Sequence, residues 1–582
     1  MQPSVAIIGG GPSGLTTSHH LAYTHRVILI DAAPSTGGVW ARERACPTSS
    51  PAYDWLVTNT PTALFPFPSF PLQQCDWQGA PQPYVPAQVA QRYYARFAEA
   101  HNLHDGPRGR LCALHLSTKV LSIAKMEDGT AGWLLHVARQ PHGDMETLAA
   151  DRLVLASGAF SMPNIPSWAA LLPNAIHSSR LGDPTVRAKL RTADQVVVVG
   201  GGKSALDVIA YACSREDDEK AKHNRFSPHV VAITRASSAW PAPHGKAPAW
   251  ASRLALLGGG YLSPWSLPSP WAPSRLGTVL QGAKWGHTVV RAYWSLLAKT
   301  CSRAHPRLYD ASPTWHHILS SSTHVFPSPS RLDRGTAARQ SPLRVIYGSV
   351  QGATPQEGGM VHLMVRKEQA ETIIEVSSDD VVILCTGYQS PSNQLAPLFA
   401  NQNDAAWLGL PLTGTADTPE ACDWSTRLQE ALSEARRTAP MLADLHPHAD
   451  ALPATFRLHR HMVPCPAACS HTTPGSRTFA VVGTPQTLSA AVVAETQAKW
   501  LSRYFSQDPR LSLPASVQEA RQDTARLVAA SISRYGEKDC RAGTAMAFEL
   551  AWYCDLLLSD MCATQSFRRS PWRPLSSLDW AL

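Results

Sequence analysis

The chain has 582 residues, of which 44% are hydrophobic and 16% charged, a balance typical of folded globular proteins and not of disordered ones. A chain of this length is expected to form about two to four domains. The formal net charge of +8 is spread along the chain without a run of Lys and Arg, which excludes a strongly basic nucleic-acid-binding segment. We therefore expect no nucleic-acid partner, and we attribute the charge to solubility and to affinity for phosphorylated cofactors.

The sequence also predicts a protein outside the membrane. No window approaches the ~18 uninterrupted apolar residues of a transmembrane helix, and a first strand beginning at Ser4 leaves no room for a signal peptide. The 12 cysteines include no C-x-x-C pair and no metal-ligand spacing. We expect reduced thiols, a cytoplasmic location and no metal; a redox or metal role for Cys465 and Cys469 is the minor alternative.

One motif occurs twice, at residues 4–22 (SVAIIGGGPSGLTTSHHLA) and 195–210 (QVVVVGGGKSALDVIA). In each copy an apolar run ends in glycines and a helix-compatible stretch follows, which predicts a strand, a tight turn and a helix. The small residues have paired roles: the tight turn, room for a pyrophosphate, and close helix packing. Gly9 and Gly200 allow the tight turn, Gly11 and Gly202 leave room for the pyrophosphate, and Gly14 and Ala205 let the helix pack closely.

The strand after each motif distinguishes the two nucleotides. The run RVILID ends at Asp31, where an acid hydrogen-bonds a ribose 2′-hydroxyl and so favours FAD or NAD. The matching run HVVAITRA ends in Thr234 and Arg235, and an arginine there suits the 2′-phosphate of NADPH. An exposed Arg235 on a loop is the alternative. We therefore predict FAD in the first unit and NADPH in the second.

Further elements follow in chain order. Residues 53–72 are too rich in Pro and Phe for a long helix, whereas PAQVAQRYYARFAEAHNL predicts an amphipathic helix. LSTKVLSIAK and WLLHVARQ alternate like strands of a small sheet. An apolar strand then ends at Ser157 and Gly158, which a doubly wound sheet places beside the nucleotide.

The second unit closes with the strand in DDVVILCTGYQS, after a Trp- and Pro-rich region at 240–344. That region either covers the sheet with loops and short helices or walls a substrate cavity. Residues 214–225 are highly charged and predict a solvated insertion. FAVVGT predicts a last strand and AAVVAETQAKWLSRYF a helix, and we expect residues after 510 to be helical and peripheral.

Seven pieces, in order, are similar to the flavin-containing monooxygenase family, the class B enzymes with FAD and NADPH domains. They are GGGPSG, GGVW, YDWLVTNTP, LASGAFSMPNIP, VVVVGGGKSALD, DVVILCTGY and ETQAKW, over roughly residues 4–500. The resemblance implies an α/β fold of two doubly wound Rossmann-like domains, the NADPH domain inserted in the FAD domain, with a helical C-terminal extension. The implied bounds are 1–185 and 391–510 for the FAD domain, 186–390 for the NADPH domain and 511–582 for the extension.

The resemblance also implies which residues bind each cofactor. On FAD it places Gly9, Gly11, Pro12, Ser13, Gly14, Asp31, Gly38, Val39, Trp40, Thr58, Asn59, Ser157 and Gly158. On NADPH it places Gly200, Gly202, Ser204, Ala205 and Arg235, with Thr386 and Gly387 at the family's Thr-Gly-Tyr strand end. The family's identifying stretch is altered, with Leu171, Pro173 and Leu181 around His177. That histidine is either a structural linker residue or a participant in switching between domains.

The implied reaction has NADPH reduce FAD and O2 add to the flavin as a C4a-(hydro)peroxyflavin, which passes one oxygen atom to a small-molecule substrate. Asn59 matches the asparagine near the reactive face of the flavin, and its neutral amide favours oxygenation of nitrogen or sulfur. Baeyer–Villiger oxidation of a ketone is the alternative. A flavoprotein disulfide reductase lacks its paired redox cysteines here, and the altered identifying stretch leaves open a cofactor-binding protein without turnover.

Overall fold

The computed structural model describes residues 2–41, 52–82, 84–104, 111–126, 132–172, 174–213, 229–234, 283–286, 288–289, 292, 343–367, 369–411, 419–438, 453–469, 476–487, 489–539, 542–546 and 549–562. The predicted insertion at 214–225 and most of the Trp- and Pro-rich region at 240–344 lie outside these described residues, as does Arg235.

The first parallel sheet is built from both ends of the chain. Its strands lie in the order Phe479–Val481, Arg152–Leu155, Ser4–Ile8, Arg26–Ile30 and Ala113–His115, and every neighbouring pair is parallel. The central strand is apolar because both faces of the sheet are covered, and Val5, Ala6 and Ile7 are fully buried. The strand Phe479–Val481 follows the second glycine motif in the chain but belongs to the first sheet, so the second unit is inserted in the first, as predicted.

The second parallel sheet has the same plan. Its strands lie in the order Ala175–His177, Val381–Leu384, Gln195–Val199, His229–Thr234 and Leu343–Tyr347. Each glycine motif therefore follows the central strand of its sheet, where ligands bind at the carboxyl ends of parallel strands. Because Ala175–His177 pairs with Val381–Leu384, we propose that the inserted domain begins before Ala175 and not at residue 186.

Two antiparallel sheets of three strands accompany the parallel sheets. The first contains Thr118–Lys125, Trp133–Arg139 and Asp144–Ala150, which confirms the two predicted alternating strands. The second contains Ser349–Pro355, Val361–Lys367 and Ala370–Val376. Two short pairs complete the strands: Val57–Pro61 with Tyr84–Pro86, and Leu458–His459 with Val463–Pro464.

The helices include all those that the sequence predicts. They are Pro12–Leu21, Ala87–Ala100, Pro184–Thr192, Lys203–Cys213, Pro391–Leu395, Gln402–Trp407, Pro419–Thr438, Ala490–Phe505, Val517–Asp539 and Leu550–Asp560. Within the described ranges, no helix combines the length and the apolar character that crossing a membrane requires.

The expectation of a peripheral C-terminal region is wrong. Leu550–Asp560 is buried on nearly every side, and its residues join the core of the first domain with Tyr553, Leu557 and Leu558 fully buried. A helix buried on nearly every side is a core helix, not an amphipathic surface helix. The C-terminal region is therefore part of the first domain's packing.

A buried ion pair fixes this last helix to the first domain. Arg460 lies in the tight turn after Leu458–His459, and its guanidinium donates to both carboxylate oxygens of Asp560, at 2.8 and 3.0 Å. The Trp500 indole N–H also donates to Asp560, at 3.0 Å, and the Tyr553 hydroxyl donates to the Arg460 carbonyl at 2.7 Å. Both ions are 7% exposed, so each depends on these partners for its solvation.

Replacing Asp560 by Ala removes the carboxylate that accepts two hydrogen bonds from the buried Arg460 guanidinium, and the carboxylate of Asp523 lies farther away, at 3.6 Å. We expect the free energy of unfolding to fall by about 3–5 kcal/mol, the cost of breaking a buried pair. Urea unfolding followed by tryptophan fluorescence measures it. The control is Glu434→Ala, which breaks a half-exposed pair with Arg526 and is expected to cost less than about 1 kcal/mol. Equal losses in the two variants would contradict this role for Asp560.

Candidate functional site

The first glycine turn is closed by a neighbouring strand end. Gly9 has φ +111°, and a Cβ on it would lie 2.5 Å from the carbonyl oxygen of Ala156, the residue after Arg152–Leu155. The Gly9 N–H donates to the Ile30 carbonyl at 2.8 Å, so the turn is bonded to the strand on its other side. Only glycine fits there, as the spacing predicts.

The helix that follows presents its first turn to this edge of the sheet. Gly11 is its N-cap in an extended conformation without a side-chain cap, and Pro12 is its first residue. A Cβ on Gly14 would lie 1.8 Å from the Gly9 carbonyl oxygen, so the helix packs directly on the turn. Backbone N–H groups without a side-chain cap, at the positive end of a helix dipole, form a site for an anion.

The loop of residues 37–40 lies across the same turn. Gly38 has φ +57°, and a Cβ on it would lie 2.8 Å from the Gly11 Cα. Val39 and Trp40 follow in a short 3-10 helix, and the Trp40 ring meets Phe65 edge to face with centroids 6.2 Å apart. The structure therefore brings the predicted GGVW residues to the first glycine turn.

Asp31 has a role that the spacing did not reveal. Its carboxylate accepts hydrogen bonds from the Gly10 N–H and, at 2.7 Å, from the Ala33 N–H. The Asp31 N–H itself donates to the His115 carbonyl at 2.9 Å, which holds the residue at the end of its strand. The acid thus stabilises the glycine turn at the edge where the sequence expects a ribose.

Ser157 and Gly158 lie at this same edge, directly after the carbonyl that contacts Gly9. Ser157 is half-buried, whereas Gly158 is exposed and has φ +69°. Their place beside the turn is the one that the sequence predicts. Gly483, after the last strand, is a contact that the sequence analysis missed: a Cβ on it would lie 2.3 Å from the Ser13 Oγ. Its only local signal is a glycine ending an apolar strand.

Thr58 and Asn59 lie in the strand Val57–Pro61. The Thr58 hydroxyl donates to the Thr60 carbonyl at 2.8 Å and accepts from the Val85 N–H at 3.1 Å, so it holds this strand to its neighbour. The backbone of Asn59 is in the strand, and its side chain lies outside the described part of the structure.

The second glycine turn repeats the first. Gly200 has φ +132°, a Cβ on it would lie 2.2 Å from the Cys385 carbonyl oxygen, and its N–H donates to the Ile233 carbonyl at 2.9 Å. A Cβ on Gly202 meets nothing within 4 Å, so space is open there. Ser204 is half-buried, and Ala205 is fully buried in the core against the sheet.

Thr386 and Gly387 hold the chain that passes from the first sheet to the second. The Thr386 hydroxyl donates to the Asn164 carbonyl, and the Asn164 N–H donates to the Gly387 carbonyl at 3.0 Å. The His177 Nε2–H donates to the same Gly387 carbonyl at 2.9 Å, while Nδ1 accepts from the Ser179 N–H at 3.0 Å. Burial lowers the pKa of His177, which favours the neutral form of the ring.

The cysteine pair considered from the sequence is not arranged for redox chemistry. Cys465 and Cys469 are buried, and their thiols donate to the carbonyls of Arg457 and Cys465, at 3.3 and 3.5 Å. Burial raises the pKa of Cys465 to about 11, which disfavours the reactive thiolate. Within the described ranges, no group of three or more His, Cys, Asp or Glu side chains could hold a metal ion.

Comparison with known proteins supports the family resemblance. The sequence model described as Pyridine nucleotide-disulphide oxidoreductase matches residues 3–247. FAD-dependent monooxygenase resA of Aspergillus sclerotiorum is 24% identical over 546 residues, which cover 89% of this chain and 86% of that protein. An FAD-dependent monooxygenase of Pyrenophora dematioidea is 24% identical over 585 residues, with 96% and 97% covered.

Solved structures show the same fold. S-allyl-L-cysteine S-oxygenase from Allium sativum superposes with a TM-score of 0.52 at 16% identity, covering 97% of this chain and 89% of its own. A cyclohexanone monooxygenase mutant from Rhodococcus sp. Phi1 bound to NADP+ gives 0.53 at 14% identity, covering 97% and 98%. In sequence and in fold, this chain is similar to FAD-dependent monooxygenases, in agreement with the resemblance carried by its seven sequence pieces.

Proposed function

We propose that this protein uses FAD, NADPH and O2 to transfer one oxygen atom to nitrogen or sulfur of a small-molecule substrate. The observation that carries the proposal is the pair of glycine turns, one on each parallel sheet, each followed by a helix. Relatives named as FAD-dependent monooxygenases over 89% and 96% of the chain support the same reaction class.

The residues of the first turn fit FAD. The first turn of Pro12–Leu21, without a side-chain cap, suits the pyrophosphate, and Asp31 stands where a ribose hydroxyl would bind. Gly38 packs on Gly11 of the same turn, with Val39 and Trp40 next to it in the chain, and Ser157 and Gly158 follow the carbonyl that contacts Gly9. FAD, when bound, takes hydride from NADPH and activates O2; the protein orients the cofactor and limits the access of water.

The residues of the second turn fit NADPH. The open space beside Gly202 leaves room for a pyrophosphate against the backbone, and Ser204 lies in the first turn of the helix Lys203–Cys213 beside it. Arg235, directly after the strand His229–Thr234, is placed by sequence at the 2′-phosphate that distinguishes NADPH from NADH. The superposition on a monooxygenase bound to NADP+ is consistent with this assignment.

The oxygenated atom is inferred from Asn59. A neutral amide donates hydrogen bonds without the positive charge that would stabilise an anionic oxidant. A protonated, electrophilic oxidant is attacked by the lone pairs of amines and thioethers, whereas an anionic, nucleophilic one attacks a ketone carbonyl. Structures of both an S-oxygenase and cyclohexanone monooxygenase share this fold, so Baeyer–Villiger oxidation is the alternative that the assay must separate.

A disulfide reductase is disfavoured by the buried, carbonyl-bonded thiols of Cys465 and Cys469. A binding protein without turnover is disfavoured by the relatives named as FAD-dependent monooxygenases, whose alignments cover 89% and 96% of this chain. A cytoplasmic location with reduced thiols remains part of the proposal.

The Gly202→Ala variant separates the binding of NADPH from folding. The added methyl group meets open space in the protein but occupies the room proposed for the pyrophosphate. We expect an unchanged melting temperature and an NADP+ dissociation constant raised by about tenfold or more, equivalent to ~1.4 kcal/mol. Calorimetric titration and thermal unfolding of the flavin-loaded protein measure the two effects.

The matched control is Gly200→Ala, whose methyl group meets the Cys385 carbonyl at 2.2 Å and should lower the melting temperature. Undiminished NADP+ binding by a folded Gly202→Ala protein would contradict the assignment of the second turn.

Asn59→Ala tests the proposed chemistry. With NADPH and a panel of thioethers, tertiary amines and cyclic ketones, the wild type should yield S-oxides or N-oxides with a gain of 16 mass units. The variant should still bind FAD and accept hydride, because the two glycine turns bind the nucleotides. Its NADPH consumption should instead produce H2O2, measured by a peroxide assay beside mass spectrometry. Product per NADPH equal to that of the wild type would contradict a catalytic Asn59; lactones from ketones would favour the alternative.

A further inference from the structure

The segment just before the strand that contains Asn59 packs on the inserted domain, although in sequence it belongs to the first domain. Tyr53 is 4% exposed and belongs to the core formed by the second sheet and Lys203–Cys213. Next to it, the Trp55 ring stacks on Tyr211 of that helix, with centroids 4.1 Å apart and an interplanar angle of 14°. Two aromatic rings of this segment are therefore anchored on the helix that follows the second glycine turn.

A buried polar contact accompanies this packing. The Tyr53 hydroxyl donates to Oδ2 of Asp207, and the same oxygen accepts from the Lys203 ammonium at 2.7 Å. Asp207 is 3% exposed, so its charge depends on these partners. Burial, and then the Asp207 charge, raise the pKa of Tyr53 well above its ordinary value, so the hydroxyl remains a donor. Lys203 directly follows Gly202, which brings the contact to the turn itself.

Backbone hydrogen bonds connect Tyr53 to the Asn59 strand. The Leu56 N–H donates to the Tyr53 carbonyl at 2.9 Å, and the Ala87 N–H donates to the Leu56 carbonyl at 2.9 Å. The strand itself is held at Thr58, whose hydroxyl accepts from the Val85 N–H. These hydrogen bonds join Tyr53 to the strand that contains Asn59, the residue proposed to act at the flavin.

We propose that Tyr53 and Asp207 are positioning residues, which hold the Asn59 strand in register with the second glycine turn and so couple NADPH oxidation to oxygen transfer. This inference rests on the proposed function. The bond crosses from the first domain to the helix of the second, and it joins the segment of the proposed catalytic residue to the turn proposed for NADPH. Neither residue needs to touch the substrate.

The test compares two tyrosines that each lose one buried hydroxyl. Tyr53→Phe removes the donor to Asp207, which keeps Lys203 as a partner. Tyr504→Phe is the matched control, because its hydroxyl donates at 2.7 Å to the Ala467 carbonyl within the first domain. In Tyr53→Phe we expect the ratio of H2O2 to oxygenated product to rise by about tenfold, as for the loss of one hydrogen bond to a charged group. Tyr504→Phe should keep the wild-type ratio.

Hydrogen–deuterium exchange of the flavin-loaded protein provides a readout independent of activity. Amide hydrogens in the strand Val57–Pro61 should exchange faster in Tyr53→Phe than in the wild type, and at the wild-type rate in Tyr504→Phe. Wild-type exchange together with wild-type coupling in folded Tyr53→Phe would overturn the inference. If the wild type forms no oxygenated product but the exchange responds as expected, the positioning contact stands and the proposed function fails.

A second variant covers the case in which Tyr53→Phe does not retain flavin. Trp55→Phe keeps the Tyr53 hydroxyl but weakens the stacking on Tyr211 that, in this inference, holds that hydroxyl against Asp207. It should raise the ratio of H2O2 to product and the exchange of Val57–Pro61 in the same direction. An unchanged ratio and unchanged exchange in this variant would equally overturn the inference.

Discussion

In each glycine turn a backbone carbonyl oxygen lies so close to the first glycine of the motif that a residue with a Cβ would clash with it. The Ala156 oxygen lies 2.5 Å from a Cβ built on Gly9, and the Cys385 oxygen 2.2 Å from one built on Gly200. Each carbonyl follows the parallel strand adjacent to the central one, so the crowding is a property of the sheet. Because the turn passes close to that carbonyl, the next helix begins at the carboxyl ends of the parallel strands. Its first N–H groups face the crevice in which nucleotides bind in sheets of this kind.

The rest of the architecture connects these two turns. The linker at Asn164 is held by Thr386 and Gly387, and His177 bonds to the same glycine carbonyl. A second connection is the hydrogen bond from the Tyr53 hydroxyl to Asp207, which lies on the helix Lys203–Cys213. A monooxygenase that uses two nucleotides needs a hydride donor and a flavin at a defined separation, and these contacts link the segments that we propose to hold them.

The sequence predicted best what local sterics determine. The glycine positions follow from backbone conformations that no other residue type accommodates at those points, whereas the insertion of one domain in the other was implied by the family resemblance. Contacts between distant segments left no comparable pattern. Tyr53 and Asp207 are 154 residues apart, and Arg460 and Asp560 are 100 apart. The last helix was predicted as peripheral because periodicity cannot distinguish an exposed stripe from a helix buried all round, as the full burial of Tyr553 and Leu557 shows.

The central claim is that each glycine turn binds a different nucleotide. A crystal structure of the flavin-loaded protein soaked with NADP+ tests it most directly. The account predicts the FAD pyrophosphate within hydrogen-bond distance of the backbone at Gly11 and Ser13, and the NADP+ pyrophosphate beside Gly202. NADP+ bound at the first turn, or absent from the second while bound elsewhere, would contradict the account.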